Sequence, residues 1–463
     1  DTDKDFVSDL NDTDDDNDGY LDGDDAFSLL VGEWVDTDLD GVGDNSDLYS
    51  SSPLETNDAD CWSDANGNGV CDQLEGGITQ INAADLQGHN GFMVEGEGAK
   101  ARLGEYISGL GDINNDGFDD YAFAAYNHND EGDYFKGLVY VFFGSETKPQ
   151  ATFNFSEDDE LNGENGFELK GLEGSQLGVN LSELGDVNHD GIDDFMASDN
   201  IGNSYVIFGH QGSWAADFDI TTVSDDVGFQ LIVPAGEDHY TAALGDVNGD
   251  GIDDFGYSVD YTAYLFFGRS DAWPNSIDVS DISELANYAL TVDDIYELSG
   301  AGDFNDDGIN DILLATRIAG TQEGRVFVLF GKVDLGTEMI DLTQLNGTNG
   351  FSMIGELVGD KLGLSLSNGD INNDGISDLI IGYGGEDETR IGRSYIVFGT
   401  TQPWGDTFDI TTLDGLNGFV LMGQTGEYFA GREVAGLGDF NGDGIDDVLI
   451  GSYSTTVDSI EDV

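Results

Sequence analysis

From about residue 90 onward, short apolar runs alternate with polar segments rich in Gly, Asn and Asp. The runs are dominated by β-branched and aromatic side chains, as in "YAFAAY" (121–126), "YVFFG" (140–144), "YLFFG" (264–268) and "LIIGYG" (379–384). Runs of this length, bounded by turn residues, predict strands. One such run follows each of a series of acidic turns. A second ends in Phe-Gly, at 140–144, 205–209, 264–268, 326–331 and 395–399. A third lies in segments such as "FDITTLDGLNGFVLMG" (408–423), and a fourth precedes the next acidic turn, as in "LGLSLSNGD" (362–370). The pattern predicts an all-β chain with four strands per repeat.

The acidic turns recur six times: "GDINNDGFDD" (111–120), "GDVNHDGIDD" (185–194), "GDVNGDGIDD" (245–254), "GDFNDDGIND" (302–311), "GDINNDGISD" (369–378) and "GDFNGDGIDD" (438–447). A repeat of this period marks one supersecondary unit per copy, and four strands in about 65 residues match a propeller blade. Each turn obeys D-x-N-x-D-G-[FI]-x-D. Oxygen side chains at positions one, three, five and nine, a sharp Gly turn at six and an inward carbonyl at seven are how a short loop wraps calcium. The expected ligands of the first loop are Asp112, Asn114, Asp116, the Phe118 carbonyl and Asp120. The second offers Asp186, Asn188, Asp190, Ile192 and Asp194, and the third Asp246, Asn248, Asp250, Ile252 and Asp254. The fourth offers Asp303, Asn305, Asp307, Ile309 and Asp311, and the fifth Asp370, Asn372, Asp374, Ile376 and Asp378. The sixth offers Asp439, Asn441, Asp443, Ile445 and Asp447. Without a cation, carboxylates ~4 Å apart repel by roughly 1 to 4 kcal/mol per pair. An EF-hand needs an acid at position twelve. Here Phe123, Ala197, Tyr257, Leu314, Ile381 and Ile450 stand there, so each loop is expected to run directly into a buried strand.

Residues 1–78 use the acidic spacing differently. Four loops carry an acid at position twelve as well. They comprise Asp1, Asp3, Asp5, Asp9 and Asp12, with Phe6 in place of the glycine; Asp14, Asp16, Asp18, Tyr20, Asp22 and Asp25; Asp36, Asp38, Asp40, Val42, Asp44 and Asp47; and Asp64, Asn66, Asn68, Val70, Asp72 and Glu75. Cys61 and Cys71 bracket the last of them and read as a short-range disulfide, which points to an oxidising compartment. Free thiols are the alternative.

The formal net charge of −81, from 95 acidic and 14 basic residues, argues against nucleic acid and anionic membrane surfaces as partners. An acidic surface suited to salty water is a second source of that charge. The 39% hydrophobic and 11% aromatic content argues that most of the chain folds. No apolar run reaches the ~20 residues that cross a bilayer. The chain opens inside an acidic motif without an initiator Met and reads as a mature or trimmed form.

The Phe-Gly runs, the acidic loops and the small-residue stretches "FAAY" and "LIGSY" resemble the FG-GAP repeats of integrin α-subunit β-propellers and their bacterial relatives. The resemblance covers residues 79–463. It implies a propeller, expected to be seven-bladed, with calcium between the first two strands of a blade. The "NYALTV" segment departs from the usual "NGF" run, and six acidic loops stand against five Phe-Gly strands. The run "NGFMVEG" (90–96) is expected to be the outer strand of the last blade. The final repeat then lacks its third strand, which a continuation of the chain or another chain would supply. The DxDxDGxxDxxD spacing of residues 1–78 is similar to thrombospondin type 3 repeats, implying a calcium-stiffened stalk; a disordered acidic tail is the alternative.

No HExxH, GxSxG or P-loop motif is present, and His89, His128, His189, His210 and His239 are scattered. Trp214, Trp273 and Trp404 each follow a Phe-Gly strand, either packing a blade connection or forming a rim for a glycan or protein. No DxSxS metal-dependent ligand site is visible. The expectation is an extracellular or surface-displayed, calcium-binding adhesion or recognition protein, non-catalytic. It would hold about six Ca2+ in the propeller and up to four in the N-terminal segment. Its partner would be a protein or glycan ligand, or copies of itself. A subunit of an extracellular filament joined by strand complementation is the alternative, and a polysaccharide-active propeller enzyme a second.

Overall fold

The structure is a computed structural model. It describes residues 92–96, 101–128, 135–145, 152–154, 161–224, 226–232, 239–259, 262–278, 288–291, 295–316, 324–333, 341–355, 361–383, 392–423, 430–439 and 445–451. The stalk loops within 1–78, the Cys61–Cys71 pair, Asn441 and Asp443 lie outside the described residues. So do residues 452–463, which bear on a missing final strand.

The chain divides into two units, Asp1–Glu95 with Thr147–Glu157, and Gly96–Glu146 with Asp158–Val463. In the first, β1 (Met93–Glu95) pairs in parallel with β5 (Thr152–Asn154).

The second unit is a succession of antiparallel sheets. The first contains β2 (Ile107–Gly111), β3 (Asp120–Ala125), β4 (Leu138–Phe142) and β6 (Gly166–Lys170). The next repeats the order with β7 (Asn180–Gly185), β8 (Asp194–Ser198), β9 (Asn203–Ile207) and β11 (Gly228–Ile232). The third has β12 (His239–Gly245), β13 (Asp254–Val259), β14 (Thr262–Phe266) and β16 (Tyr288–Thr291). β17 (Ile295–Gly302), β18 (Asp311–Thr316), β19 (Arg325–Leu329) and β20 (Gly350–Ile354) form the fourth. β21 (Leu362–Gly369), β22 (Asp378–Tyr383), β23 (Arg393–Val397) and β24 (Gly418–Met422) form the fifth. Last come β25 (Glu433–Gly436) and β26 (Val448–Gly451).

The first strands of successive sheets neighbour one another, in the order β2, β7, β12, β17, β21, β25. Four-stranded meanders side by side along their first strands are the arrangement of a β-propeller. The deviant "NYALTV" segment supplies β16, which pairs with β14 as the outer strand of its sheet.

One element escapes the four-strand pattern. β10 (Asp217–Asp219), which follows β9 in the chain, adds in parallel to β6 of the preceding sheet. β15 (Ser276–Asp278) does the same to β11. A single bridge between Ser352 and Thr407 marks the corresponding place on β20. The first two sheets of this unit therefore have five strands, and the fifth is a strap from the next repeat. Buried Phe218 and Ile277 hold two of these straps down.

The straps also explain the tryptophans. Trp214, Trp273 and Trp404 stack on Phe167, Phe229 and Phe351, each with ring centroids 4.5 Å apart and planes within 11°. Trp214 and Trp273 are only 4% exposed, so their rings pack the connection between repeats and present no rim. The apolar core follows the same seams: Phe167 and Leu169 of one sheet pack with Phe195, Ala197, Tyr205 and Ile207 of the next.

Candidate metal centre

Each acidic loop joins the first strand of a sheet to the second. Inner strands β2, β7, β12 and β17 slip register at the loop entrance, at Gly111, Gly185, Gly245 and Gly302. The side chain at position twelve is buried in four of the repeats, at Ala197, Tyr257, Leu314 and Ile381.

Inside the loop the first aspartate organises the turn. In the first repeat Asp112 Oδ1 accepts the Asp116 N–H at 2.9 Å and its Oδ2 accepts the Gly117 N–H at 2.8 Å. The same pair of bonds recurs at Asp186, Asp246, Asp303 and Asp370. The aspartate at position five accepts the N–H of position seven, as in Asp116 to Phe118 at 3.0 Å. That fixes the peptide leading into residue seven, whose own carbonyl is an expected ligand.

Position four is left-handed in all five fully described loops, at Asn115, His189, Gly249, Asp306 and Asn373, with φ between 55° and 74°. Asn, Asp and Gly tolerate that region best. The sequence pattern marks only the glycine at position six, so this constraint on the variable position was missed; the frequency of Asn, Asp and Gly there was its one signal.

Position nine is the buried anchor. Asp194, Asp254, Asp311 and Asp378 are fully buried and Asp120 is 1% exposed. Asp194 Oδ2 accepts the Val187 N–H at 3.1 Å, and its Oδ1 accepts the Gly209 N–H at 2.9 Å. Gly209 is the glycine of a Phe-Gly strand. The equivalent bond runs from Gly144, Gly268, Gly331 and Gly399 to Asp120, Asp254, Asp311 and Asp378, at 2.8 to 2.9 Å. A Cβ on any of these glycines would meet the position-eight carbonyl at 2.1 to 2.4 Å. The glycine is therefore required by close approach. The Phe-Gly signature and the acidic loop are two halves of one contact.

Burial raises these carboxyls: Asp254 and Asp311 to about 8, Asp120 and Asp378 to about 7, and Asp194 well above the ordinary range. The glycine N–H opposes the shift, while the aspartates at positions one and five reinforce it. The asparagine at position three completes the lining. Asn188, Asn248 and Asn305 direct Nδ2 toward the position-nine carboxylate at 3.1 to 3.5 Å. In the first and fifth loops the other atom stands alone: Oδ1 of Asn114 and of Asn372 is buried with no hydrogen-bond donor among the described residues. Among the described residues no three His, Cys, Asp or Glu side chains are gathered tightly enough to hold a metal by themselves. The carboxylates are instead turned onto backbone N–H groups, each keeping lone pairs free. Asp439, Ile445 and Asp447 of the sixth loop are described, but the loop between them is not.

These repeats define a β-propeller whose acidic loops are locked to the Phe-Gly strands. Residues 362–397, which span β21, the fifth loop, β22 and β23, match the model of the FG-GAP repeat. The chain is similar to Integrin alpha-4 of Xenopus laevis, 33% identical over 149 residues, which are 29% of this chain and 13% of that protein. It is similar also to Integrin alpha-PS2 of Drosophila melanogaster, 25% identical over 269 residues, 56% of this chain and 16% of that protein. The chain thus matches only a small part of either relative's length. The match and these similarities support an FG-GAP, integrin-alpha-like assignment for the repeats.

Proposed function

We propose that this is an extracellular calcium-binding adhesion or recognition protein whose calcium ions are structural and whose propeller binds without catalysing. The observation that carries the calcium reading is the pair of buried amide oxygens, Asn114 Oδ1 and Asn372 Oδ1, that meet no donor among the described residues and lie beside buried aspartates in loops of one grammar. An acceptor buried without a partner costs about 1–3 kcal/mol, and a hard cation satisfies it. The same ion would hold the position-nine carboxylates ionised. Oxygen-only donor sets favour calcium or magnesium, and the multidentate loop favours calcium.

In each loop the aspartates at positions one, five and nine, the asparagine at three and the carbonyl at seven would hold the ion. Bound there, it supplies positive charge that joins the first two strands of the sheet to the Phe-Gly strand. Residues 1–78 would form a thrombospondin type 3-like stalk, with Cys61 and Cys71 joined. Kinship with integrin alpha chains supports adhesion to a protein or glycan ligand at the surface of a cell. Among the described residues no helix is long and apolar enough to cross a membrane.

The test immobilises the full chain and probes it with extracellular-matrix proteins and a glycan array, in millimolar calcium and with chelator. Calcium-dependent retention of a partner is expected. Equal retention after complete calcium removal contradicts the structural role of calcium, and turnover of an arrayed polysaccharide contradicts the non-catalytic reading.

A further inference from the structure

The loops are tied to one another. Asp193, at position eight of the second loop, reaches back to the first, where its Oδ2 accepts the Asp112 N–H at 2.9 Å. Asp253 of the third loop holds the Asp186 N–H of the second at 3.0 Å, and Asp446 of the sixth holds Asp370 N–H of the fifth at 2.8 Å. In each case the tie lands on the backbone of the preceding loop's first expected ligand.

The glycine that opens each loop makes room for this. A Cβ on Gly111 or Gly185 would lie 2.3 or 2.4 Å from the carboxylate of Asp193 or Asp253. At Gly245 and Gly302 the same notch is filled by Asn310 and by Ser377, both at position eight of the next loop. Gly438 opens the sixth loop, and among the described residues nothing lies within 4 Å of its notch. A second tie runs alongside. The residue after each of the last four Phe-Gly pairs donates its N–H to the position-two carbonyl of the preceding loop: His210 to Ile113, Arg269 to Val187, Lys332 to Val247 and Thr400 to Phe304, at 3.0 to 3.1 Å.

We propose that the residue at position eight couples neighbouring loops, so that a cation bound in one loop favours binding in the loop before it. The proposal rests on the calcium reading above. Position eight lies between two expected ligands, the position-seven carbonyl and the position-nine carboxylate. A cation that draws these inward fixes the backbone of position eight. Its side chain then holds the neighbour's first ligand in place before the neighbour's cation arrives. Ordering done in advance is not repeated at the second site, and by linkage the effect is mutual. Coupling is strongest where position eight is a carboxylate (first to second loop, second to third, fifth to sixth), because a charged acceptor makes the stronger bond. It is weaker across the Asn310 and Ser377 junctions.

Hydrogen exchange followed by mass spectrometry on the full chain, through a calcium titration, reads each loop separately. In Asp193→Ala the calcium midpoint of residues 111–120 is expected to rise about fivefold or more, with that of residues 303–311 unchanged. Asp193→Asn keeps an acceptor but not the charge, and is expected to fall between. A variant in which the second loop's midpoint moves while the first loop's stays put overturns the coupling. Exchange that ignores calcium in every loop of the unaltered chain overturns instead the calcium reading beneath it.

Discussion

Asp194 and Asp219 sit in one repeat, and each carboxylate accepts two hydrogen bonds of 3.1 Å or less, with Asn188 Nδ2 a more distant third donor to Asp194. Asp194 takes N–H groups of Val187 and Gly209 in a fully buried site. Asp219 caps a short 3-10 turn and takes the N–H and hydroxyl of Thr221, at 2.9 and 2.7 Å, in an exposed one. Their acidities part in opposite directions. Thr221 holds Asp219 below the ordinary carboxylate range, as Thr343 and Thr411 do for Asp341 and Asp409. Burial, reinforced by Asp190 and Asp186, raises Asp194 well above it. Two hydrogen bonds are enough for an anion that water still reaches. They are not enough for one enclosed with two other carboxylates. The loop aspartates therefore need a cation in a way the capping aspartates do not.

That contrast orders the expected effects. Chelation acts on every loop at once. A ligand at a hundredfold excess over its Kd contributes about 2.7 kcal/mol per site, so calcium removal should lower Tm by on the order of 10 °C or more, read by differential scanning calorimetry. Trp214→Ala removes the ring stacked on Phe167 and should cost about 3–5 kcal/mol in denaturant titration, independent of calcium. Asp194→Ala strands the N–H groups of Val187 and Gly209 and should cost about 2–4 kcal/mol. Unlike the tryptophan variant, it should also blunt the response to calcium.

A subtler effect is the pH dependence of the calcium-free chain. The folded-state pKa values of Asp120, Asp254, Asp311 and Asp378, at about 7 to 8, lie above those of an unfolded chain. Between roughly pH 4 and 8 the folded state thus keeps protons that the unfolded state has released. Stability should fall as pH rises from 5 to 8 in chelator, and the slope should flatten when calcium is restored. Glu297 on β17, raised to about 8 by burial and then by Glu433, adds to the same slope. Glu297→Gln should stabilise the chain at pH 8 and leave it little changed at pH 4. Smallest is Asp219→Ala, expected to cost about 0.5–1 kcal/mol. Because the Asp219 pKa is lowered, its contribution is present above the unfolded pKa and is lost as pH falls through the folded one.

What the sequence discloses and what it conceals divide along range. The strands, the loop grammar and the turn at position six are local, and a period of repeated residues displays them. The strap strand β10 is three residues long and takes its register from β6 of the preceding sheet, so no local run marks it. The glycine of Phe-Gly reads as a turn residue along the chain. In the fold, Gly209 is the slot through which a strand reaches Asp194, fifteen residues away. Asp193 reads as one acid among many until Gly111 is seen to leave space for it. The tryptophan positions were visible from the start, but choosing packing over a ligand rim required Phe167, Phe229 and Phe351 to be brought beneath them.

The central claim is that the acidic loops are calcium sites. It is tested most directly by equilibrium dialysis of the full chain against calcium, with bound metal measured by elemental analysis, alone and in a tenfold excess of magnesium. The account predicts several bound calcium ions per chain, at least one for each of the five fully described loops, with little displacement by magnesium. A chain that retains none at millimolar free calcium, while its FG-GAP sheets remain folded, would contradict it.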